Sequence, residues 1–254
     1  MATAGIDIGA KTIKVVVLED GKLIGKSLVQ GGLDQKASAE QALTDALAEA
    51  GIARDRVSRI VATGAGRKYA PFADDDVTEV GADARGIVYL MPSVRTVIDV
   101  GAEEGRGVRV DTRGKVVDFV VNEKCAAGAG TFTEAMARAL EVKLEELAQI
   151  ALQSTNSVPM NAQCAVFAES EVVSLVHSNT SKQDIARAIH DAIASRIISM
   201  VRRVGVENDV AVIGGMARNP AFVAAMERGL ESKVLVPEDC EYISALGAAV
   251  VAAS

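Results

Sequence analysis

The sequence is poor in the features that mark secreted, membrane-spanning and nucleic-acid-binding proteins. It has three Cys, no Trp and a formal net charge of −7. So sparse a cysteine set argues against a disulfide framework, and an acidic chain without a long basic run argues against nucleic acid or an anionic membrane surface as a partner. No stretch approaches the roughly 18 uncharged apolar residues of a membrane span, and the start MATAGIDIGA lacks a signal-peptide pattern. We therefore expect a cytoplasmic protein.

What the chain does contain is an internal repeat. AGIDIGAKTIKVVVLEDGKLIGKSL near the start matches TVIDVGAEEGRGVRVDTRGKVVDFV near the middle. Each copy reads as a strand, an Asp-x-Gly turn, a second strand, a Gly-Lys turn and a third strand. With 254 residues, 49% of them hydrophobic, the pattern predicts an α/β protein of two related lobes. We place the first lobe at residues 1–92, joined by a C-terminal helix at about 241–254, and the second at 93–240.

Helical periodicity accounts for most of the remaining chain. It predicts helices at residues 37–50, 131–148, 165–177 and 182–203, the last opened by Ser181 with Asp184 three residues on. RVSRIVATGAGRKY reads as a strand that runs into a Gly-rich turn. DVAVIGGMARNPAFVAAMERGL reads as a strand, a diglycine turn and a helix.

The two Asp-x-Gly turns are the first candidates for chemistry. An Asp at the end of a buried strand, followed by a Gly that allows close backbone approach, is suited to hold a phosphate and its Mg²⁺. A single such motif is more often only a turn. Asp7-Ile8-Gly9 and Asp99-Val100-Gly101, however, occupy equivalent places in the repeat, and we expect them to face each other. Lys14, seven residues after Asp7, is expected to reach the same cleft.

A third Gly-rich turn stands in VIGGMARNP. There Gly214 and Gly215 would let an adenine ring lie against the backbone. Neither a GxxxxGK[ST] loop nor a GxGxxG motif after a strand is present, so the commonest nucleotide motifs are absent.

The cysteines form a separate set of candidates. Cys125 and Cys164 each precede a predicted helix, where the dipole and free amide groups favour a thiolate. Such a residue is a nucleophile, a redox sensor or a metal ligand, or else only a small buried side chain. The chain has no C-x-x-C, so neither Cys belongs to a local metal knuckle. Cys240 is interpreted as a packing residue.

Several motifs together resemble one family. They are GIDIGAKTIKVVVLEDGK, VATGAGR, TVIDVGAEEGR, NEKCAAGAGTF, CAVFAESEVVS and VIGGMARNP. The sequence is similar, over essentially its whole length, to the activator ATPases of 2-hydroxyacyl-CoA dehydratases and the ATPase subunits of benzoyl-CoA reductase. These belong to the actin, heat-shock chaperone and sugar-kinase superfamily. The resemblance implies two actin-like (ribonuclease H-like) lobes around a nucleotide cleft, with helices at a dimer interface.

The resemblance also implies the cofactors. Members of the family are homodimers with one [4Fe–4S] cluster at the interface, to which each chain would give Cys125 and Cys164. Two thiolates per chain supply the four that such a cluster usually takes. In benzoyl-CoA reductases two unlike subunits share the cluster, so a heterodimer with a paralogue stays open.

ATP and Mg²⁺ complete the expected cofactors. The catalytic residues implied are Asp7, Asp99 and Glu103, and the nucleotide-binding residues are Gly9, Ala10, Lys11, Thr12, Lys14, Gly101, Ala102, Gly214 and Gly215. The sequence departs from the activators in two places: Gly-Ala-Glu-Glu stands where they usually carry Gly-Gln-Asp, and Ala10-Lys11-Thr12 replaces the Ser/Thr after the first Gly. Which residue positions the hydrolytic water is therefore left open.

Further polar residues have two interpretations each. Glu169 and Glu171 link nucleotide to cluster or only shape a helix start. Arg67 and Arg113 reach a phosphate or lie on the surface, and His177 and His190 are surface or packing residues.

The function implied is that of an ATP-dependent one-electron donor. Ferredoxin or flavodoxin would supply the electron, and an iron–sulfur acyl-CoA dehydratase or reductase would receive it. A small-molecule kinase of the same fold with incidental cysteines is the alternative, and a non-enzymatic nucleotide sensor is a third. Iron content separates the first hypothesis from the other two.

Overall fold

The chain folds into two compact units. A computed structural model describes residues 1–122, 128–160 and 164–254. The first unit consists of Met1–Val97, Val108–Asp118 and Glu241–Ser254, and the second of Ile98–Gly107 and Phe119–Cys240. Within the described ranges, none of the helices combines the length and the apolar character needed to cross a bilayer.

Strands and helices come in runs along the described parts of the chain, with three strands at the start of each copy of the repeat and four successive helices after the second copy. The strands are β1 (Ala2–Ile8), β2 (Thr12–Glu19), β3 (Lys22–Gln30), β4 (Val57–Thr63), β5 (Asp75–Asp76), β6 (Thr96–Val100), β7 (Gly105–Val110), β8 (Val116–Asn122) and β9 (Val210–Ile213). The helices are α1 (Gln35–Ala50), α2 (Glu79–Leu90), α3 (Ala129–Ala139), α4 (Leu144–Ala151), α5 (Ala165–His177), α6 (Lys182–Val201), α7 (Pro220–Leu230) and α8 (Ile243–Ala252). The predicted α/β class is confirmed.

The strands of the repeat have the same order in both sheets. One sheet has the order β3-β2-β1-β4-β5, and the other has the order β8-β7-β6-β9. In each, the first strand of the repeat lies between the second strand and one strand that comes later in the chain. This equivalence confirms the internal repeat that the sequence predicts.

The first strand of the first sheet is buried along its whole length. β1 pairs antiparallel with β2 and parallel with β4, and all seven of its residues are buried. Ile6 belongs to the same apolar cluster as Leu43 of α1. At Gly5 a Cβ would lie 2.0 Å from the carbonyl oxygen of Ala245, so only glycine lets α8 come this close. Asp7, near the end of β1, is therefore held in a buried position.

The second unit is organised around the long helix α6. Its buried residues include Ile185, Ile189 and Ile193, which share one apolar cluster with residues of α3, α4 and α7. The helix begins where predicted, because the Asp184 N–H donates to Ser181 Oγ at 3.1 Å. Helix α5 also coincides with its predicted range.

One predicted helix is wrong. Residues 131–148 do not form a continuous helix: α3 ends at Ala139, and α4 begins at Leu144. Glu141 between them has φ +56°, and the Lys143 N–H donates to Glu146 Oε2 at 3.2 Å to start α4. Residues on both sides of the break pack into the same apolar cluster. The hydrophobic pattern therefore continues without interruption across the turn, and the pattern alone does not predict the break between α3 and α4.

Candidate functional site

The first Asp-Gly turn joins β1 to β2 and brings a carboxylate and an amine together. Asp7 and Lys14 are paired directly across the two antiparallel strands. Lys14 Nζ lies 3.2 Å from Asp7 Oδ2, and the side chains are only 15% and 11% exposed, respectively. The pair offers a cation to phosphate oxygens and a carboxylate to a divalent metal.

The tip of this turn is narrow. The Gly9 N–H donates to the Thr12 carbonyl oxygen at 3.1 Å. A Cβ at Gly9 would lie 3.5 Å from Lys14 Nζ, so the missing side chain leaves room beside the amine. Ala10 is exposed, whereas Lys11 and Thr12 are half-buried.

A turn after β4 closes against the same carboxylate. Gly64 has φ +91°, and a Cβ there would lie 2.6 Å from Asp7 Oδ1 and 2.4 Å from the carbonyl oxygen of Ile8. Only glycine combines that backbone conformation with that approach. Thr63, in register with Asp7 across the parallel pair, is fully buried, and its hydroxyl has no hydrogen-bond partner among the described residues. Thr63 is not among the site residues predicted from the sequence.

The second Asp-Gly turn carries an arginine that the sequence analysis missed. Asp99 is the last residue but one of the buried strand β6, and Arg106 of β7 pairs with its carboxylate; the two side chains are 6% and 10% exposed. Arg106 Nη1 also lies 2.9 Å from Glu104 Oε2, and the Gly101 N–H donates to the Glu104 carbonyl oxygen at 2.9 Å. Arg106 follows Asp99 by seven residues, as Lys14 follows Asp7. The register of the repeat was therefore the signal that could have found it.

The predicted adenosine turn lies against this second turn. Gly214 follows β9 with φ +84°, and a Cβ there would lie 2.2 Å from Asp99 Oδ1 and 2.6 Å from the carbonyl oxygen of Val100. At Gly215, in contrast, a Cβ would meet no atom within 4 Å. The structure thus brings Asp99 and Gly214 together and leaves space at Gly215.

The start of α3 is fastened to the second Asp-Gly turn. The Gly130 N–H donates to the Gly101 carbonyl oxygen at 3.2 Å, and the Thr131 N–H donates to the Ala102 carbonyl oxygen at 3.0 Å. The Thr131 hydroxyl donates to that same oxygen at 3.0 Å. A Cβ at Gly128 would lie 2.0 Å from the Cα of Glu103. Glu103 thus contacts the helix start through its backbone, while its side chain is exposed.

Of the two predicted cluster cysteines, one is described. Cys164 immediately precedes α5, is half-buried and forms no disulfide. The first turn of α5 exposes Val166 by 68% and Phe167 by 72%. Cys125 lies outside the described residues, so its predicted place before α3 stays a prediction. The described ranges contain no cluster of three or more His, Cys, Asp or Glu side chains suited to a metal.

The remaining polar candidates have protein partners or lie on the surface. Arg67 Nε lies 2.8 Å from Asp76 Oδ2, and Arg113 is 84% exposed. Glu169 of α5 and His177 are also exposed.

His190 is a packing residue. Its ring is fully buried, with Nδ1 2.7 Å from the Ala186 carbonyl oxygen and Nε2 3.0 Å from Asn219 Nδ2. Burial lowers the pKa of the ring below its usual value. The neutral imidazole therefore donates from Nδ1 and accepts at Nε2.

Comparison with solved structures shows the class of fold to which the chain belongs. The chain superposes on a ROK family glucokinase from Streptomyces griseus with a TM-score of 0.63, covering 100% of this chain and 99% of the other at 15% identity. Together with two sheets of matching strand order, this shows the fold of the actin-like ATPases and sugar kinases.

The family follows from closer similarities. The sequence matches the BadF/BadG/BcrA/BcrD ATPase family over residues 4–252, and the chain belongs to that family. It is 39% identical to the activator of lactoyl-CoA dehydratase from Anaerotignum propionicum, over 99% of this chain and 97% of the relative. It is 33% identical to one of the benzoyl-CoA reductase subunits from Thauera aromatica, over 97% of this chain and 91% of the relative.

Two solved relatives share the whole fold. Component A of (R)-2-hydroxyglutaryl-CoA dehydratase from Acidaminococcus fermentans superposes with a TM-score of 0.95 at 37% identity, covering 99% of this chain and 97% of the other. The activator of 2-hydroxyisocaproyl-CoA dehydratase from Clostridium difficile, solved with bound ADPNP, superposes with a TM-score of 0.91 at 36% identity, covering 99% and 94%. The predicted resemblance is confirmed.

Proposed function

We propose that this ATPase delivers single electrons at low potential to a partner acyl-CoA enzyme, through a [4Fe–4S] cluster that two subunits share. Relatives named as activators of 2-hydroxyacyl-CoA dehydratases support a dehydratase of that type as the partner. A benzoyl-CoA-type reductase is the second candidate within the same role. The likeness to a glucokinase concerns the fold alone and gives the kinase alternative no further support.

The nucleotide is assigned to the two Asp-Gly turns and the turn after β9. Lys14 would bind phosphate oxygens, together with the backbone of Gly9, Ala10, Lys11 and Thr12. Asp7 would orient the ligands of Mg²⁺. Asp99 and Glu103, with the backbone of Gly101 and Ala102, are also assigned to the phosphates and Mg²⁺. Gly214 and Gly215 are assigned to the adenosine. When bound, Mg²⁺ neutralises charge on the phosphates.

The observation that carries the proposal is the connection between the second turn and α3. An electron carrier can be gated by ATP only if the nucleotide state moves the residues that hold the carrier. Gly101 and Ala102, which are assigned to the nucleotide, are hydrogen-bonded to Gly130 and Thr131. These residues begin the helix that follows Cys125 in the sequence. A shift of this turn between ATP and ADP states would therefore move the start of α3 directly.

The described cysteine fits a cluster held between two chains. Cys164 is a free, half-buried thiol directly before a 13-residue helix. One chain gives too few thiolates for a four-iron cluster, and two chains give four. When bound, the cluster supplies a carrier for one electron.

The surface around Cys164 supports a dimer. Val166 and Phe167 expose apolar side chains directly beyond the cysteine, and a partner subunit there would bury them. One electron would enter from reduced ferredoxin or flavodoxin, and one would leave to the acyl-CoA enzyme, while ATP is hydrolysed to ADP and phosphate. We expect a homodimer, with a heterodimer of paralogues as the alternative.

Iron, sulfide and molar mass, measured on protein purified without oxygen, test this proposal. We expect about four irons per two chains and the mass of a dimer. Cys164→Ala should lose the iron and the brown colour but still bind ADPNP, and Cys125→Ala should behave likewise.

Cys240 supplies the matched control. It is buried elsewhere in the second unit, at 3% exposure, so Cys240→Ala should keep its iron. An iron-free monomeric wild type, or equal iron loss in the Cys164→Ala and Cys240→Ala variants, would refute the shared cluster.

A further inference from the structure

A cavity of about 310 Å³ lies in the second unit between α6 and α7, lined by residues that the nucleotide and cluster assignments do not use. Three arginines line it: Arg187 of α6, Arg202 directly after α6, and Arg228 of α7. The lining contains one carboxylate, that of Asp191. The cavity wall therefore has an excess of two positive charges.

Asp191 holds two of the arginines side by side. Its Oδ2 lies 3.2 Å from Arg187 Nε, and its Oδ1 pairs with Arg228 Nη2. Each guanidinium has five N–H donors, and Arg187 uses only Nε in this contact. The carboxylate therefore orders both groups and leaves most of their donors available.

Arg202 completes the set. Its Nη2 donates to the Gly229 carbonyl oxygen at 3.1 Å, and it forms no ion pair with the carboxylates of the described residues. Arginines near helix C-termini are favoured by the helix dipole, which accounts for Arg202 and Arg228. Arg187 stands in the first half of α6, so the dipole does not account for its place in the lining.

The rest of the lining suits a small anion with a short organic part. Ser157, Ser195 and Ser199 bring hydroxyl groups, and Ile198 and Ala225 bring apolar surface. Planar guanidinium groups match the oxygens of a phosphate. Two excess positive charges match the double negative charge of a phosphate monoester.

We propose that this cavity binds a phosphate group, either free or as a small phosphate monoester. The site is separate from the turns assigned to ATP, and the inference does not rest on the proposed electron transfer.

Binding is measured with inorganic phosphate and with glycerol 3-phosphate, by ³¹P line broadening in protein saturated with Mg²⁺ and ADPNP so that the nucleotide turns are occupied. We expect saturable broadening. Arg202→Gln and Arg228→Gln should each weaken it about tenfold, because each removes a charge-assisted contact to the anion. Tighter binding of glycerol 3-phosphate would identify a monoester as the source of the phosphate, and equal binding would identify free phosphate.

Arg203 provides the matched control, because it is the exposed neighbour of Arg202 and is not among the residues that line the cavity. Arg203→Gln should bind both probes like the wild type. Broadening that does not saturate, or an equal loss in the Arg202→Gln and Arg203→Gln variants, would leave an adventitious ion only and overturn the proposal.

Discussion

The two Asp-Gly turns are built from the same parts. In each, an Asp near the end of a buried strand pairs with a cation seven residues later, Lys14 for Asp7 and Arg106 for Asp99. In each, a glycine with positive φ follows the later neighbouring strand and lies against the Asp carboxylate, Gly64 at +91° and Gly214 at +84°. The repeat has thus preserved the backbone approach to each carboxylate as well as the order of the strands.

The turns differ in what is attached to them. Gly101 and Ala102 of the second turn accept hydrogen bonds from the start of α3. The first turn accepts its hydrogen bond from its own sheet instead, because the Gly31 N–H directly after β3 donates to the Lys11 carbonyl oxygen at 2.7 Å. Under the proposed function, these hydrogen bonds would let the second turn pass the nucleotide state to the start of α3.

Blocking the close approach of the Gly214 backbone to the Asp99 carboxylate should have the largest effect. Gly214→Ala would force a Cβ into the Asp99 carboxylate and hold an L-residue at φ +84° and ψ 177°, a conformation that costs about 1–3 kcal/mol. We expect loss of measurable ADPNP binding by calorimetry and a lowered thermal midpoint, and the same direction for Gly64→Ala.

The control for this prediction separates backbone strain from collision. Gly51 also has positive φ, +67°, but a Cβ there meets no atom within 4 Å. Gly51→Ala should therefore show the strain alone and still bind ADPNP. Normal nucleotide binding by Gly214→Ala would contradict the close approach to Asp99.

Breaking the ion pairs should give the next largest effect, and an unequal one. Arg106 pairs with two carboxylates and is 10% exposed, so Arg106→Gln leaves Asp99 buried without its cation and should cost about 3 kcal/mol. Lys14→Gln should cost less, about 1–2 kcal/mol, because its single pair is more exposed. Urea unfolding measures the free energy of unfolding of both variants.

Arg113→Gln is the control, because Arg113 lies on the surface. It should stay within about 0.5 kcal/mol of the wild type. A cost for Lys14→Gln above that for Arg106→Gln would contradict the predicted ranking.

The sequence predicted the repeat, its Asp-Gly turns and most of the elements, because strand alternation and turn glycines are local signals. It did not reveal Arg106, although Lys14 was found at the equivalent position. The pairing of Arg106 with Asp99 becomes visible only when the two copies are aligned. It also missed the contact of Gly128 with Glu103, which joins residues far apart in the chain and has no periodic signature.

The break between α3 and α4 was missed for a different reason. Leu140 and Leu147 are both buried at a spacing that suits one continuous helix. The turn at Glu141 lacks the Gly or Pro that usually marks such a break, so composition gave no warning.

Thr131 tests the attachment that distinguishes the second turn. Thr131→Val removes the hydroxyl that donates to the Ala102 carbonyl oxygen and keeps the size of the side chain. We expect ADPNP affinity to change less than threefold. The proposed ATP-dependent electron transfer to an acyl-CoA enzyme should fall about tenfold, the loss from one hydrogen bond worth about 1.4 kcal/mol. Thr131→Ser should restore the rate. An equal loss of nucleotide binding and electron transfer would mean that Thr131 only supports the turn.

The smallest expected effect concerns His190, which the structure places beneath α7. Burial lowers the pKa of His190 in the folded state. Below the ordinary histidine pKa of about 6.5, His190 is therefore protonated in the unfolded chain while it stays neutral in the folded chain. Stability should therefore fall as the pH decreases from about 7 to 5, and this part of the fall should be absent in His190→Gln. That variant should also cost about 1 kcal/mol at pH 8, because no ring N–H remains to donate to the Ala186 carbonyl oxygen. His177→Gln removes the other histidine, which is exposed, and should retain the full pH dependence. Urea unfolding of the three proteins from pH 5 to 8 measures this difference, and an unchanged slope in His190→Gln would assign the pH dependence to other groups.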